Sequence, residues 1–230
     1  GAQTYQGAVT LASDTQLTTT DSAISFNDTV NGVKTLELTA GAGDITFKGL
    51  AGHGAGLGDV TINSVKDLTI TAGMEAASFT QGLNDDKSLA GTGVFKLDGD
   101  LSATAGAVTI SSAIVDLNAN VATAAGFDQT AKIDNGLVDI NAGAGGLSLL
   151  AGKSITTTAG VAGTDSGAIL MESVGTAQLD GDLITVGAAG ADGGNVDLNV
   201  TGDGKILSLA IIDTSGGDSV GAGMGGNAGT

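Results

Sequence analysis

Aspartates paired across glycine corners are the residues of this chain best placed to do chemistry. Leu97-Asp98-Gly99-Asp100-Leu101 and Leu179-Asp180-Gly181-Asp182-Leu183 each hold two carboxylates around one Gly, and Asn84-Asp85-Asp86 adds a third acidic turn. Hard oxygen ligands on tight turns suit Ca²⁺. Asp98, Asp100, Asp180 and Asp182 are therefore the candidate metal ligands, and calcium is the one candidate cofactor. The EF-hand spacing is absent, and the Gly-Gly-x-Gly-x-Asp nonapeptide of calcium-binding β-rolls does not recur in tandem. Asp-Gly is also a good turn in its own right. The two readings, ligand and corner, stand side by side.

Catalysis has little to work with. The single His53 lies in Ala51-Gly52-His53-Gly54-Ala55-Gly56-Leu57-Gly58, and the chain has no Cys and no Arg. The eight Lys (Lys34, Lys48, Lys66, Lys87, Lys96, Lys132, Lys153 and Lys205) are scattered. β-Helical enzymes that cleave acidic polysaccharides need a base, and cationic groups to stabilise charge developing on a uronate. A glycoside hydrolase needs two carboxylates, which 25 acidic residues supply somewhere by chance. Platforms for stacking sugars are missing, with no Trp and one Tyr, Tyr5. Ala151-Gly152-Lys153-Ser154 ends like a phosphate-binding loop, but Leu147 stands where the first Gly belongs. Thr18-Thr19-Thr20 and Thr156-Thr157-Thr158 resemble ice-binding solenoid faces, yet more than half of the chain separates them. The expectation is a protein that is not an enzyme.

Charge narrows the partners. Of the 25 acidic residues 22 are Asp, and the net charge is −17. Neutralising phosphates takes clustered Lys and Arg, so nucleic acid is not an expected partner. Docking on an anionic membrane is disfavoured for the same reason, and no apolar run is long enough to insert into a bilayer. A hydrophobic fraction of 41 % and a mean hydropathy of +0.28 argue against disorder. With 40 Gly, no Pro and five Phe, the apolar content is mostly Ala, Val, Ile and Leu, suited to a narrow core. The absence of Pro leaves every backbone N–H free to join a ladder.

The elements that must position these residues show in a repeated phrase. Leu36-Glu37-Leu38-Thr39 recurs as Leu68-Thr69-Ile70-Thr71, Val115-Asp116-Leu117-Asn118, Val138-Asp139-Ile140-Asn141 and Val196-Asp197-Leu198-Asn199. Leu36 to Val115 and Val115 to Val196 are each about 80 residues, close to a multiple of about 20, which is a solenoid period. Leu36 to Val138, about 100 residues, and Val138 to Val196, about 60 residues, fit the same period. The Leu-Asp-Gly-Asp-Leu phrase returns at Leu179, about 80 residues after Leu97, which reads as four turns. Short alternating runs such as Ile24-Ser25-Phe26, Ile45-Thr46-Phe47 and Val60-Thr61-Ile62 read as strands, and Gly, Asn, Asp and Ser between them read as corners. No run keeps a 3.6-residue apolar period, so no helix is expected.

The expected fold is all-β: a right-handed parallel β-helix, or β-solenoid, of about 20 residues per turn and roughly eleven turns. At the spacing of paired strands it is a rod on the order of 50 Å. Residues 1–230 read as a single solenoid segment. Thr39, Thr71, Asn118, Asn141 and Asn199 are expected to stack as one polar ladder beside apolar columns. An antiparallel sandwich would show similar short strands without that regular recurrence. The longer excursions, 51–58, 81–93, 159–167 and 215–226, read as spacers on the rod's surface. The opening Gly1-Ala2-Gln3-Thr4 shows no leader, and Gly225-Gly226-Asn227 is similar to Gly193-Gly194-Asn195, which leads into the strand at Val196. The chain is therefore expected to be a fragment of a longer repeat protein.

Gln3-Thr4-Tyr5-Gln6-Gly7-Ala8-Val9-Thr10-Leu11, Thr29-Val30-Asn31-Gly32, Gly43-Asp44-Ile45-Thr46-Phe47-Lys48-Gly49 and Ile212-Asp213-Thr214-Ser215-Gly216-Gly217 resemble repeats of giant haemagglutinin-like bacterial surface proteins. Filamentous haemagglutinin and the autotransporter and two-partner-secreted adhesins are of this kind. The resemblance implies a right-handed β-helical shaft exported from a Gram-negative-type cell, extracellular or at the outer-membrane surface. It implies a structural or adhesion module for surface attachment or cell–cell contact. Its partners would be flanking repeats or other copies, and glycans or proteins of a host or partner cell. No residue of a receptor site carries over. Two alternatives stand beside it: a self-assembling extracellular filament or surface-layer subunit stacked end to end, and a polysaccharide-binding or polysaccharide-degrading β-helix.

Overall fold

The computed structural model describes residues 1–82, 90–123, 138–158 and 165–216; the acidic turn Asn84-Asp85-Asp86 lies outside them. Among the described residues there are 23 strands and no helix. Short alternating segments leave one side chain in two facing inward, as in Leu36-Glu37-Leu38-Thr39, where both Leu are buried and Glu37 and Thr39 are partly exposed.

The chain visits three columns of strands in a fixed rotation. The first level is β1 (Gln3–Tyr5), β2 (Val9–Thr10) and β3 (Thr15–Thr18), and the second is β4 (Ile24–Phe26), β5 (Val30–Asn31) and β6 (Leu36–Thr39). The third holds β7 (Ile45–Phe47), a bridge at Ala51 and β8 (Val60–Ser64); the fourth holds β9 (Leu68–Ile70), β10 (Met74–Ala76) and β11 (Phe79–Gln81). β12 (Gly91–Leu97) and β13 (Leu101–Ala103) follow. β14 (Val108–Leu117) then runs unbroken from the third column into the first of the next level. After β15 (Val121–Thr123), β16 (Val138–Leu149) does the same. β17 (Ser154–Thr158) and β18 (Ile169–Ser173) complete the seventh level, and β19 (Ala177–Leu179), β20 (Asp182–Val186) and β21 (Val196–Val200) make the eighth. β22 (Ile206–Leu209) and β23 (Ile212–Asp213) begin a ninth.

Columns one and three form a 15-stranded sheet and most of column two a six-stranded sheet, with parallel pairing throughout. That excludes the antiparallel sandwich. In column one the register runs Tyr5, Phe26, Phe47, Ile70, Leu97, Leu117, Leu149, Leu179 and Leu209.

This register corrects four expectations. The steps between levels are uneven: Tyr5 to Phe26 is about 20 residues, while Leu117 to Leu149 and Leu149 to Leu179 are each about 30. The described residues therefore make nine levels where roughly eleven were expected. In the last full level the passage from column two to column three takes residues 187–195 after β20, against only 77–78 after β10. The return of Leu-Asp-Gly-Asp-Leu accordingly spans three levels, from Leu97 through Leu117 and Leu149 to Leu179, not four. The polar series is not one ladder either: Thr39, Asn141 and Asn199 belong to column three, whereas Thr71 and Asn118 follow strands of column one. The phrase encodes in–out alternation, which every column shares, so it cannot tell columns apart.

Between the columns lies a continuous apolar core. Leu36, Leu38, Ile45, Ile62, Leu68, Ile70 and Leu97 are fully buried, as are Phe26, Phe47, Phe79 and Phe95. Among the described residues the aromatics are concentrated rather than dispersed. Tyr5, Phe26 and Phe47 stack on successive levels with ring centroids 5.0 and 4.9 Å apart. Phe79 meets Phe95 edge to face at 6.0 Å. Offset stacking at the strand spacing uses the ring quadrupoles favourably and adds to the area buried.

Candidate functional site: the aspartate corners

The two Asp-Gly-Asp phrases occupy equivalent corners, where column one hands the chain to column two. Gly is demanded there by the backbone of the level before. A Cβ on Gly99 would lie 2.3 Å from the carbonyl carbon of Ala72, and one on Gly181 would lie 2.5 Å from the carbonyl oxygen of Lys153. Gly thus packs against that backbone, and the flanking aspartates are exposed (Asp98, Asp100) or partly exposed (Asp180, Asp182).

Each of the four candidate ligands accepts hydrogen bonds from the protein. Asp98 takes Lys96 Nζ at 2.6 Å on Oδ2 and Asn118 Nδ2, one level on, at 3.0 Å on Oδ1. The Lys96 hydrogen bond and then that from Asn118 hold its carboxyl below the usual range. Asp100 Oδ1 accepts from both the backbone N–H (2.9 Å) and the side-chain amide (3.0 Å) of Asn120. Gln178 donates to Asp180 at 2.8 Å, and the hydroxyl of Ser208 and then Gln178 hold that carboxyl below the usual range too. Asp182 Oδ1 accepts from the N–H of Ile211 at 3.2 Å. Three levels separate the two corners, roughly 14 Å at the strand spacing, so the structure does not bring the pairs together. Among the described residues no three His, Cys, Asp or Glu side chains gather so as to hold a metal ion.

The same device recurs at aspartates that sequence reasoning passed over. Asp14 accepts from the N–H of Thr35 (3.1 Å), Asp21 from Ala42 (2.8 Å), Asp67 from Val94 (2.8 Å) and Asp165 from Asp192 (2.9 Å). In every case the carboxylate sits one level before its donor. A charged acceptor on a backbone N–H makes a strong, directional bond, so these aspartates clamp corner to corner. The readable signal was an Asp one period before a corner. Uneven steps hid it.

A second missed series is buried. Ala76, Ala103, Thr123, Thr157 and Thr185 occupy one inward position of column two on successive levels. Thr157 and Thr185 are fully buried, and their hydroxyls donate to the carbonyls of Gly167 and Gly194, each at 2.6 Å. They tie the long passage between columns two and three down to the core. Thr156 points outward and Thr157 inward, so the Thr triplet does not form a single face.

Two surface grooves hold the remaining titratable groups of interest. Asp139, Asn141, Leu170, Glu172, Asp197 and Asn199 line a groove of about 320 Å³ on column three. Asp139 is raised above the usual carboxylate range, first by burial and then by Glu172, against a hydrogen bond from Asn141. His53 lies with Leu50, Met74, Glu75 and Asp100 in a groove of about 300 Å³ on column two. No helix among the described residues is long and apolar enough to cross a membrane.

Comparison with known proteins adds one relationship. The chain is 29 % identical over 269 aligned residues to outer membrane protein A of Rickettsia rickettsii, an alignment that takes in 96 % of this chain and 12 % of that protein. The chain thus spans about an eighth of the relative it matches. No family model matches it, and no solved structure matches it.

Proposed function

We propose that this chain is a length of stiff β-solenoid shaft in a large bacterial surface protein of the haemagglutinin-like, adhesin type. The observation that carries the reading is the unbroken parallel register from Tyr5 to Leu209, joined to similarity along nearly the whole chain to a short stretch of an outer membrane protein. Its work is mechanical. Ladders, an aliphatic core and aspartate clamps at the corners hold successive levels in line, so that a binding region elsewhere in the protein stands away from the cell. Crossover sterics favour winding it right-handed. The chain acts as scaffold rather than enzyme, with flanking repeats as its immediate partners and surface glycans or proteins of another cell as the targets of the whole protein.

Electron microscopy of the purified chain tests the first half of this reading: rods a few nanometres thick support it, and compact globules overturn it. Antibodies raised against the chain test the second. They should label intact, unpermeabilised cells of the source organism, and labelling that requires permeabilisation refutes a surface position.

A further inference from the structure

We propose that Asn31-Gly32 is a site of spontaneous covalent modification, where the folded chain closes a succinimide and converts Asn31 to aspartate and isoaspartate. It is the only Asn-Gly step among the described residues. The fold fixes its second member. Gly32 holds φ at +116°, and a Cβ on it would lie 2.5 Å from the carbonyl oxygen of Leu11. Without a side chain, Gly32 leaves its backbone nitrogen unshielded beside the Asn31 carboxamide. The fold also leaves both reacting groups unheld. In a parallel ladder alternate residues turn their N–H groups to the same neighbour. Val30 N donates to Leu50 O at 3.1 Å and Gly52 N to Val30 O at 2.7 Å, so the N–H of Gly32 would meet Gly52 O next. That oxygen is taken. The third level leaves column two at Gly52, with φ +77°, and Gly56 N closes on Gly52 O at 2.9 Å. No backbone acceptor among the described residues receives the N–H of Gly32. The side chain is as free: Asn31 Oδ1 is buried without a hydrogen-bond partner, and no bond among the described residues holds the amide. Asn27 differs on both counts, since its Nδ2 donates to Gln6 Oε1 at 2.9 Å and the residue after it, Asp28, carries a side chain.

The chemistry balances with water alone. Hydroxide takes the Gly32 amide proton, and the freed nitrogen attacks Asn31 Cγ. The N–Cγ bond forms, the Cγ–Nδ2 bond breaks, and ammonia leaves with a proton returned from water. Water then opens the ring at either carbonyl. One opening gives aspartate; the other gives isoaspartate, whose side-chain methylene now lies in the main chain. Either product adds one negative charge to the −17 of the chain. Isoaspartate also lengthens β5 by one backbone atom where Leu11 N donates to Asn31 O at 2.7 Å, so that bond between the first two levels loses its register.

The test ages the whole chain at mildly alkaline pH, folded and in urea, and follows residues 1–34, which trypsin releases by cutting after Lys34. Asn27 and Asn31 are the only Asn in that peptide, and fragmentation tells them apart. The folded chain should gain the mass of NH₂ exchanged for OH at Asn31 and not at Asn27, with isoaspartate revealed by enzymatic carboxyl methylation. With no hydrogen bond to break at Gly32, the folded rate should stay within about tenfold of the rate in urea, a local opening of at most about 1.4 kcal/mol. Asn31→Gln, which must close a larger ring, should abolish the gain while keeping the far-UV spectrum of the parent. A fold that slows conversion at Asn31 by more than that factor, or a gain that persists in Asn31→Gln, overturns the proposal. The N–H of Leu11 should exchange faster in the isoaspartate form than in Asn31→Asp, which carries the charge without the extra backbone atom. Equal rates overturn the loosening of the first two levels.

Discussion

Thr157→Val isolates what the buried hydroxyls contribute. The swap preserves shape and nearly preserves volume, so no cavity opens, but Gly167 O loses its 2.6 Å donor inside the core. An unsatisfied buried carbonyl costs about 1–3 kcal/mol, and we take about 2. Thr157→Ser keeps the donor and deletes one methyl, a loss of about 0.8 kcal/mol with a small void. Valine should therefore be the worse substitution although it is the more apolar. A stack of levels opens locally rather than all at once, which makes native-state hydrogen exchange the right assay. The N–H of Ser166, bonded to Asp192 O, and that of Ile169, bonded to Asn195 O, report on the tied passage. In the Val variant they should exchange roughly thirty-fold faster, at about 1.4 kcal/mol per tenfold, with amides of the first four levels unchanged. Unaltered exchange, or a Ser variant looser than the Val one, would show that the hydroxyl bond does not hold this passage.

Other expectations follow from the corners and the charges. Gly99→Ala drives a Cβ into the Ala72–Gly73 backbone and should cost about 3 kcal/mol, whereas Gly7→Ala, with open space around it, should change stability by about 0.5 kcal/mol or less; urea melts of the two separate close packing from a general intolerance of side chains. Asp67 and Asp98 are lowered in the fold, chiefly by Lys66 and Lys96, so their stabilisation is present above the unfolded carboxylate range and disappears as acid protonates them. Asp139 is raised, so the fold binds its proton more tightly than the unfolded chain does; its charge opposes folding at neutral pH and the penalty fades on mild acidification. Asp139→Asn should accordingly raise the melting temperature at pH 7 and make no difference once Asp139 is protonated. Millimolar calcium should leave the melt unmoved, since Asp98, Asp100, Asp180 and Asp182 already accept protein donors; a rise of several degrees that Asp100→Asn abolishes would instead establish ligation at that corner.

What sequence alone determined here is the class of structure. Alternation at period two, Gly and Asp at corners, a Pro-free chain and recurrence at tens of residues all act locally. They mark short strands, forbid helix and favour stacked parallel pairing whatever lies further off. Strands such as Met74–Ala76, Ser154–Thr158 and Asp182–Val186 escaped that reading because their inward positions hold Ala and Thr as well as larger apolar residues. Thr157 looks polar in one dimension, and only the carbonyl of Gly167 beside it explains its burial. The Asp-Gly-Asp corners were visible as acidic turns, but the donors that tie Asp98, Asp100 and Asp182 across levels stand a full level away, at Asn118, Asn120 and Ile211. Which residue lies above which depends on the lengths of all the intervening passages. Those lengths are uneven: Leu97 and Leu117 are neighbours in the stack, and so are the more widely separated Leu117 and Leu149. Register is thus a property of the wound chain: it decided that two alike phrases fall in different columns, and that aspartates far apart in the chain perform one task.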